Sequence, residues 1–176
     1  MHKIDLHLHT QNLKSGDGNR RKISSENFGR KMYENNVSIC SITNHNKFDL
    51  NEYNEIIDLY PDLTVFPGIE LDVKFDGNQT KHIILIANST VKNTFSDVFN
   101  EENREYDSFK IKYDDFISKI KKFDPKDLII IPHYYYKEKE RGLTSQQTAK
   151  LRDDCKEYII ILEPNDLRCI LQEKIP

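Results

Sequence analysis

Asp5-Leu6-His7-Leu8-His9-Thr10 is the stretch whose reading decides the fold. The apolar run Lys3–His9 has the composition of a strand, and strand side chains alternate between faces. His7 and His9 then point the same way, at the carboxyl end of that strand. Imidazole is the commonest metal-ligating side chain near neutral pH, so the pair is half of a metal site. Asp5 projects to the same face one step deeper. It either orients a ligand from behind or hydrogen-bonds within the floor beneath it.

Further strand-like runs follow in series: Val37–Thr43, Thr64–Leu71, His82–Ala87, Leu128–Pro132 and Tyr158–Leu162. Ile129-Ile130-Ile131 and Ile159-Ile160-Ile161-Leu162 are continuous apolar stretches, the pattern of parallel strands covered on both faces. Helical segments lie between most of them. Ser24 or Ser25 caps a helix running to about Asn35. Asp49–Tyr60 places Leu50, Tyr53, Ile57 and Tyr60 at helical spacing and stops before Pro61. Tyr113–Phe123 does the same with Phe116, Ile117, Ile120 and Phe123, and Ser145–Lys156 is a weaker helix. Asp76-Gly77-Asn78 reads as a hairpin-type turn that interrupts the β-α rhythm. Asn88–Ile111 is polar, a long loop with one helix at most. The repeat of β-α units predicts an α/β domain, an open doubly wound sheet or a (β/α) barrel, with ligands at the carboxyl ends of the strands. With no internal repeat and no linker, residues 1–176 read as one domain.

The polar candidates gather at those strand ends. His45 follows the second run in Thr43-Asn44-His45-Asn46; by itself it is an ordinary loop histidine. Glu70 closes the third run in Pro67-Gly68-Ile69-Glu70, and a carboxylate inside an apolar run is costly to bury without a cation. His82 opens the fourth run, and His133 follows the fifth in Pro132-His133. Asp17, in Ser15-Gly16-Asp17-Gly18, sits in a turn-prone loop where turn chemistry alone would explain it. Five of the six histidines and a carboxylate stand at strand ends. A mixed set of this size exceeds one zinc site and suits two or three divalent metal ions, with zinc, manganese or iron admissible. Neighbouring metals that share a carboxylate generate hydroxide near neutral pH and clamp a phosphoryl oxygen.

Composition narrows the partners. Charged residues make up 31% of the chain, and the net charge of −3 provides no field favouring nucleic acid or membrane. Lys119, Lys121, Lys122 and Lys126 form one basic cluster, and Lys137, Lys139 and Arg141 another. Each is either a solvated face or a local phosphate-facing patch. Cys40, Cys155 and Cys169 are odd in number and far apart, which argues against a disulfide framework and fits a reducing compartment. No signal-peptide pattern is visible, and no apolar run approaches the ~18 residues of a spanning helix. A cytoplasmic location is the expectation.

The motifs Asp5-Leu6-His7-Leu8-His9-Thr10, Thr43-Asn44-His45-Asn46, Gly68-Ile69-Glu70, His82-Ile83-Ile84-Leu85 and Pro132-His133, in this order, resemble the PHP domain, named for polymerases and histidinol phosphatase. The resemblance spans essentially the whole chain. It implies a distorted (β/α)7 TIM-like barrel with a trinuclear metal centre at the carboxyl ends of its strands, and metal-dependent hydrolysis of phosphoesters. His7 and His9 would hold the first metal, Glu70 would bridge the first and second, and His82 and His133 would complete the second. Asp17 and His45 would hold the third. No separate general base stands out; Glu70 and His133 are the catalytic candidates, through the metals they hold. Lys137 and Arg141 are candidates for touching substrate phosphate.

Two departures matter. The family usually has Thr-Asp-His where this chain has Thr43-Asn44-His45, a change expected to weaken metal affinity or shift its preference. The family's last motif, an Asp-x-His, has no counterpart after His133, and Glu163-Pro164-Asn165 is only a partial substitute. A barrel truncated at its C-terminal end, as the N-terminal portion of a longer chain, is the expectation. That chain would carry a further domain, such as an ATPase tied to DNA maintenance or defence, or meet a partner protein. The leading expectation for substrate is nucleic acid or a nucleotide. The alternatives are a small-molecule phosphate monoester and a non-catalytic scaffold.

Overall fold

The computed structural model describes residues 3–11, 23–75, 80–100, 106, 108–132 and 142–161. Asp17, the Asp76-Gly77-Asn78 turn, His133, Lys137, Arg141 and Glu163-Pro164-Asn165 lie outside the described residues.

Among the described residues, seven strands and five α-helices form an α/β fold in which the fourth strand follows the third with no helix between them. In chain order they are β1 (Lys3–Leu8), α1 (Ser25–Glu34), β2 (Val37–Ile42), α2 (Leu50–Leu59), β3 (Thr64–Lys74), β4 (Thr80–Ala87), α3 (Lys92–Phe99), β5 (Ile111–Lys112), α4 (Tyr113–Ile120), β6 (Leu128–Pro132), α5 (Ser145–Asp154) and β7 (Ile159–Ile160). The strands hydrogen-bond in the order β1-β2-β3-β4-β6-β7, with β5 on β3. Among the described residues that path is open, ending at β1 and β7. Each end strand exposes an isoleucine, Ile4 at 62% and Ile159 at 53%. Ile159 and Ile161 are therefore not covered as in a strand buried on both faces, and Leu162 lies outside the described residues. The sheet is mixed. β3 and β4 are neighbours joined by only residues 75–79, too short a link for a parallel crossover.

The chain divides into two compact units. The first comprises residues 1–70 and 86–109, the second residues 71–85 and 110–176. In the first, β1, β2 and β3 run parallel. Ser24 caps α1 by accepting the Asn27 N–H, and Asp49 caps α2 by accepting the Glu52 N–H. The buried face of α2 is Glu52, Tyr53 and Ile56, rotated from the expected Leu50, Tyr53, Ile57 and Tyr60. A carboxylate took a core position, a choice that hydropathy spacing cannot anticipate. Asn88–Ile111 holds a 3₁₀ turn at Ser89–Val91, then α3, which buries Phe95, Val98 and Phe99.

In the second unit, β6 and β7 pair in parallel, and β5 pairs in parallel with the end of β3. β5 is two residues long and leaves no periodic signature in the sequence. α4 buries Tyr113, Phe116 and Ile120, with Phe123 buried just beyond it. α5 begins with a full capping box between Thr144 and Gln147, which supports a helix whose apolar content is low.

Candidate metal centre

β1 positions the first two candidate ligands, His7 within the strand and His9 directly after it. Its pairing with β2 is irregular between Asp5 and Leu8, where three steps of β1 match two of β2. Such a bulge re-aims side chains. Asp5 Oδ1 accepts the His7 N–H at 3.2 Å, directly behind the first imidazole. His7 and His9 nonetheless converge, with their Nε2 atoms 3.0 Å apart.

Glu70 and His45 are brought together by a close approach of β2 and β3. Gly68 lies against β2 so tightly that a Cβ there would overlap Ser41 Oγ, and would stand 2.8 Å from Thr43 Cγ2 and 2.9 Å from the Ile42 carbonyl. Beyond Gly68 the chains meet again in an isolated parallel bridge between His45 and Glu70. There the Glu70 N–H donates to the Asn44 carbonyl at 3.2 Å, and the Asn46 N–H donates to the Glu70 carbonyl at 2.7 Å. Asn46 has φ 54°, the left-handed region that asparagine tolerates better than most side chains. Its Nδ2 donates to the Tyr106 carbonyl at 3.1 Å, which anchors the turn after His45.

The outcome is one carboxylate oxygen met by three imidazoles. Glu70 Oε2 lies 3.3 Å from His7 Nε2, 3.1 Å from His9 Nε2 and 3.2 Å from His45 Nδ1. The Glu70 side chain is 2% exposed. Donors bound to one cation at about 2.0–2.1 Å stand about 3.3 Å apart in a tetrahedron and about 3.0 Å apart in an octahedron. The observed separations match such ligand edges. His7 Nε2 and His9 Nε2 at 3.0 Å also require a proton or a cation between two lone pairs. A buried carboxylate ringed by imidazoles thus fits a divalent metal, and His7, His9 and Glu70 form a compact ligand group.

In the second unit, His82 is the third residue of β4, not its opener, and is buried. Its Nε2 lies 2.9 Å from Asp72 Oδ1. His82 stands near the amino end of its strand because β4 returns from β3 through a short link; the start of β4 adjoins the end of β3. Asp72 was missed in the sequence, although it carries the signal that singled out Glu70. It is an acid in the same apolar run, two positions on and so on the same face of β3.

Cys40 and Cys155 are free and buried. Burial pushes the Cys40 thiol up to about 12, with the Asp5 charge adding to the effect, and burial pushes the Cys155 thiol up to about 11. Neither has the lowered pKa of a nucleophile. Among the described residues no helix is long and apolar enough to cross a membrane.

No family model and no curated protein matches this sequence. Eight solved chains match it. One is a crystal structure from Bifidobacterium adolescentis, of a protein provisionally named a metal-dependent phosphoesterase. It superposes with a TM-score of 0.60 at 9% identity, over 97% of this chain and 82% of that one. At that identity the likeness is one of fold.

Proposed function

We propose that this chain is a metal-dependent phosphoesterase with a PHP-type distorted (β/α)7 barrel. The observation that carries the reading is the meeting of His7, His9 and His45 on one oxygen of buried Glu70. The donor set supports a metal-dependent hydrolase in general terms. The phosphoester specificity rests on the order of the sequence motifs and on the name of the Bifidobacterium protein that shares the fold.

In this reading His7 and His9 hold one cation, and Glu70 shares its carboxylate between that cation and a second. His82 and His133 serve the second cation, and Asp17 and His45 a third. A bound divalent cation would supply Lewis acidity toward a phosphoryl oxygen and acidify a water. Glu70 fixes the charge and separation of the ligands, and Asp72 holds the His82 ring. Lys137 and Arg141 are proposed to meet substrate phosphate. Nucleic acid or a nucleotide is the proposed substrate class, and the cytoplasm the proposed location.

The deciding experiment measures metal content and Mn²⁺-dependent hydrolysis of an aryl phosphate monoester, short DNA and short RNA, in wild type and Glu70→Ala. Metal-dependent cleavage lost in Glu70→Ala is the expected result. Cleavage of the aryl ester alone would move the substrate to small phosphate monoesters. Equal activity in the variant would sink the assignment.

A further inference from the structure

Behind the imidazoles lies a buried polar chain with a fixed direction. Asn44 Oδ1 accepts the N–H groups of Thr10 at 2.8 Å and Gln11 at 3.0 Å. Asn44 Nδ2 donates to Thr10 Oγ1 at 2.9 Å, and Thr10 Oγ1 donates to Glu52 Oε2 at 2.8 Å. Gln11 Nε2 donates to the same oxygen at 2.9 Å, and Asn44 Nδ2 reaches it at 3.4 Å. All four residues are buried, Glu52 to 5% exposure. Thr10 follows His9 directly and Asn44 precedes His45 directly. Glu52 therefore ties together the two backbone segments that carry these ligands, whose rings are 4.6 Å apart.

We infer that Glu52 is a positioning residue of the metal centre, and that position 44 is an amide because position 52 is an acid. The inference rests on the metal reading of the imidazole cluster. The threonine hydroxyl has one proton, and it is directed to Glu52. An aspartate at 44 would compete for that proton and place a second carboxylate oxygen about 3.4 Å from Glu52 Oε2, a like-charge contact that burial makes costly. Asn44 avoids this by donating where an acid would repel. The departure from the Thr-Asp-His pattern is thus half of a complementary pair rather than a weakened ligand set. Glu52 Oε2 gathers the Thr10, Gln11 and Asn44 donors at one point between the two segments. Its value lies in holding His9 and His45 at ligand spacing.

The test is Mn²⁺ and Zn²⁺ titration calorimetry on wild type, E52Q, N44D and the exchanged pair N44D/E52Q, with melting curves of each metal-free protein. The exchange reverses the direction of donation from Asn44 through Thr10 to Glu52, at the cost of the hydrogen bond that Gln11 Nε2 gives to Glu52 Oε2. Each single variant is expected to bind Mn²⁺ about 10- to 100-fold more weakly, the range for groups that orient ligands from behind. The exchanged pair should recover part of the loss, binding Mn²⁺ more tightly than either single variant. Metal-free melting of E52Q should stay close to wild type, which separates positioning from a fold-wide role. Single variants that bind like wild type, losses that add in the double variant, or affinity that merely tracks melting would each overturn the assignment of Glu52. A wild type that binds neither metal would instead remove the metal reading itself, and this inference with it.

Discussion

His9 Nε2 lies 3.1 Å from Glu70 Oε2, in a contact that joins the end of β1 to the middle of β3. Without a cation the contact holds only while a proton bridges it. With one, both atoms become ligands. Metal should therefore stabilise the fold: a ligand at a hundred times its Kd adds about 2.7 kcal/mol. Melting followed by circular dichroism should show a rise with added Mn²⁺ or Zn²⁺ in wild type. Glu70→Gln should show none, because the amide offers a weaker donor and no charge. A rise of equal size in both proteins would exclude Glu70 as a ligand.

Gly68 is the residue that lets β3 approach β2. Gly68→Ala is expected to destabilise the protein by about 1–3 kcal/mol through overpacking. Adding Ser41→Ala should recover only part of that loss. It removes the overlapping hydroxyl but leaves the Thr43 methyl and the Ile42 carbonyl in place. Urea denaturation of wild type and the two variants measures this. Full recovery in the double variant would assign the constraint to the serine alone.

Asp49 carries the pH dependence that the structure makes most explicit. Burial alone would raise its carboxyl. The Lys47 hydrogen bond, the Gln11 and Glu52 N–H donors and the Lys47 charge more than offset this, and the pKa falls from 3.8 to about 2. A carboxyl depressed on folding stabilises above its unfolded value, and that contribution disappears as pH falls through the folded value. The stability gap between wild type and Asp49→Asn should be constant above about pH 4 and close between about pH 4 and 2. Asparagine still caps α2, so the comparison isolates the charge. A gap that persists at pH 2 would contradict it.

Cys40 and Cys155 should resist iodoacetamide at pH 8 in the native protein and react only after denaturation. Peptide mapping by mass spectrometry distinguishes the sites. Burial keeps both thiols protonated and out of reach. Native labelling of Cys155 would mean that the packing around α5 opens readily.

The alternation of strands and helices was legible because apolar runs and capping residues are local. Leu128–Pro132 matches its strand residue for residue, and Ser24 caps α1 as its position implied. His7, His9, His45 and Glu70 were legible as well, each a polar residue at or inside an apolar run. β5 was not, since a two-residue strand exists only by pairing with β3. Glu52 was not, since its burial is offset by donors 41 and 42 positions away in the chain. The register shift in β1 was not, since a bulge is a property of two strands together.

The sequence by itself determined which residues are chemically able to hold a metal and which local element carries each. Side-chain type and short-range periodicity are written residue by residue. Only the tertiary structure decided that three imidazoles meet one oxygen of Glu70, and that Asn44 serves Glu52 and the Thr10 turn. Those outcomes depend on a bulge in β1, a glycine-thin contact between β2 and β3, and a carboxylate turned inward from α2. Each arises where segments distant in the chain exclude water together, and no single segment encodes it.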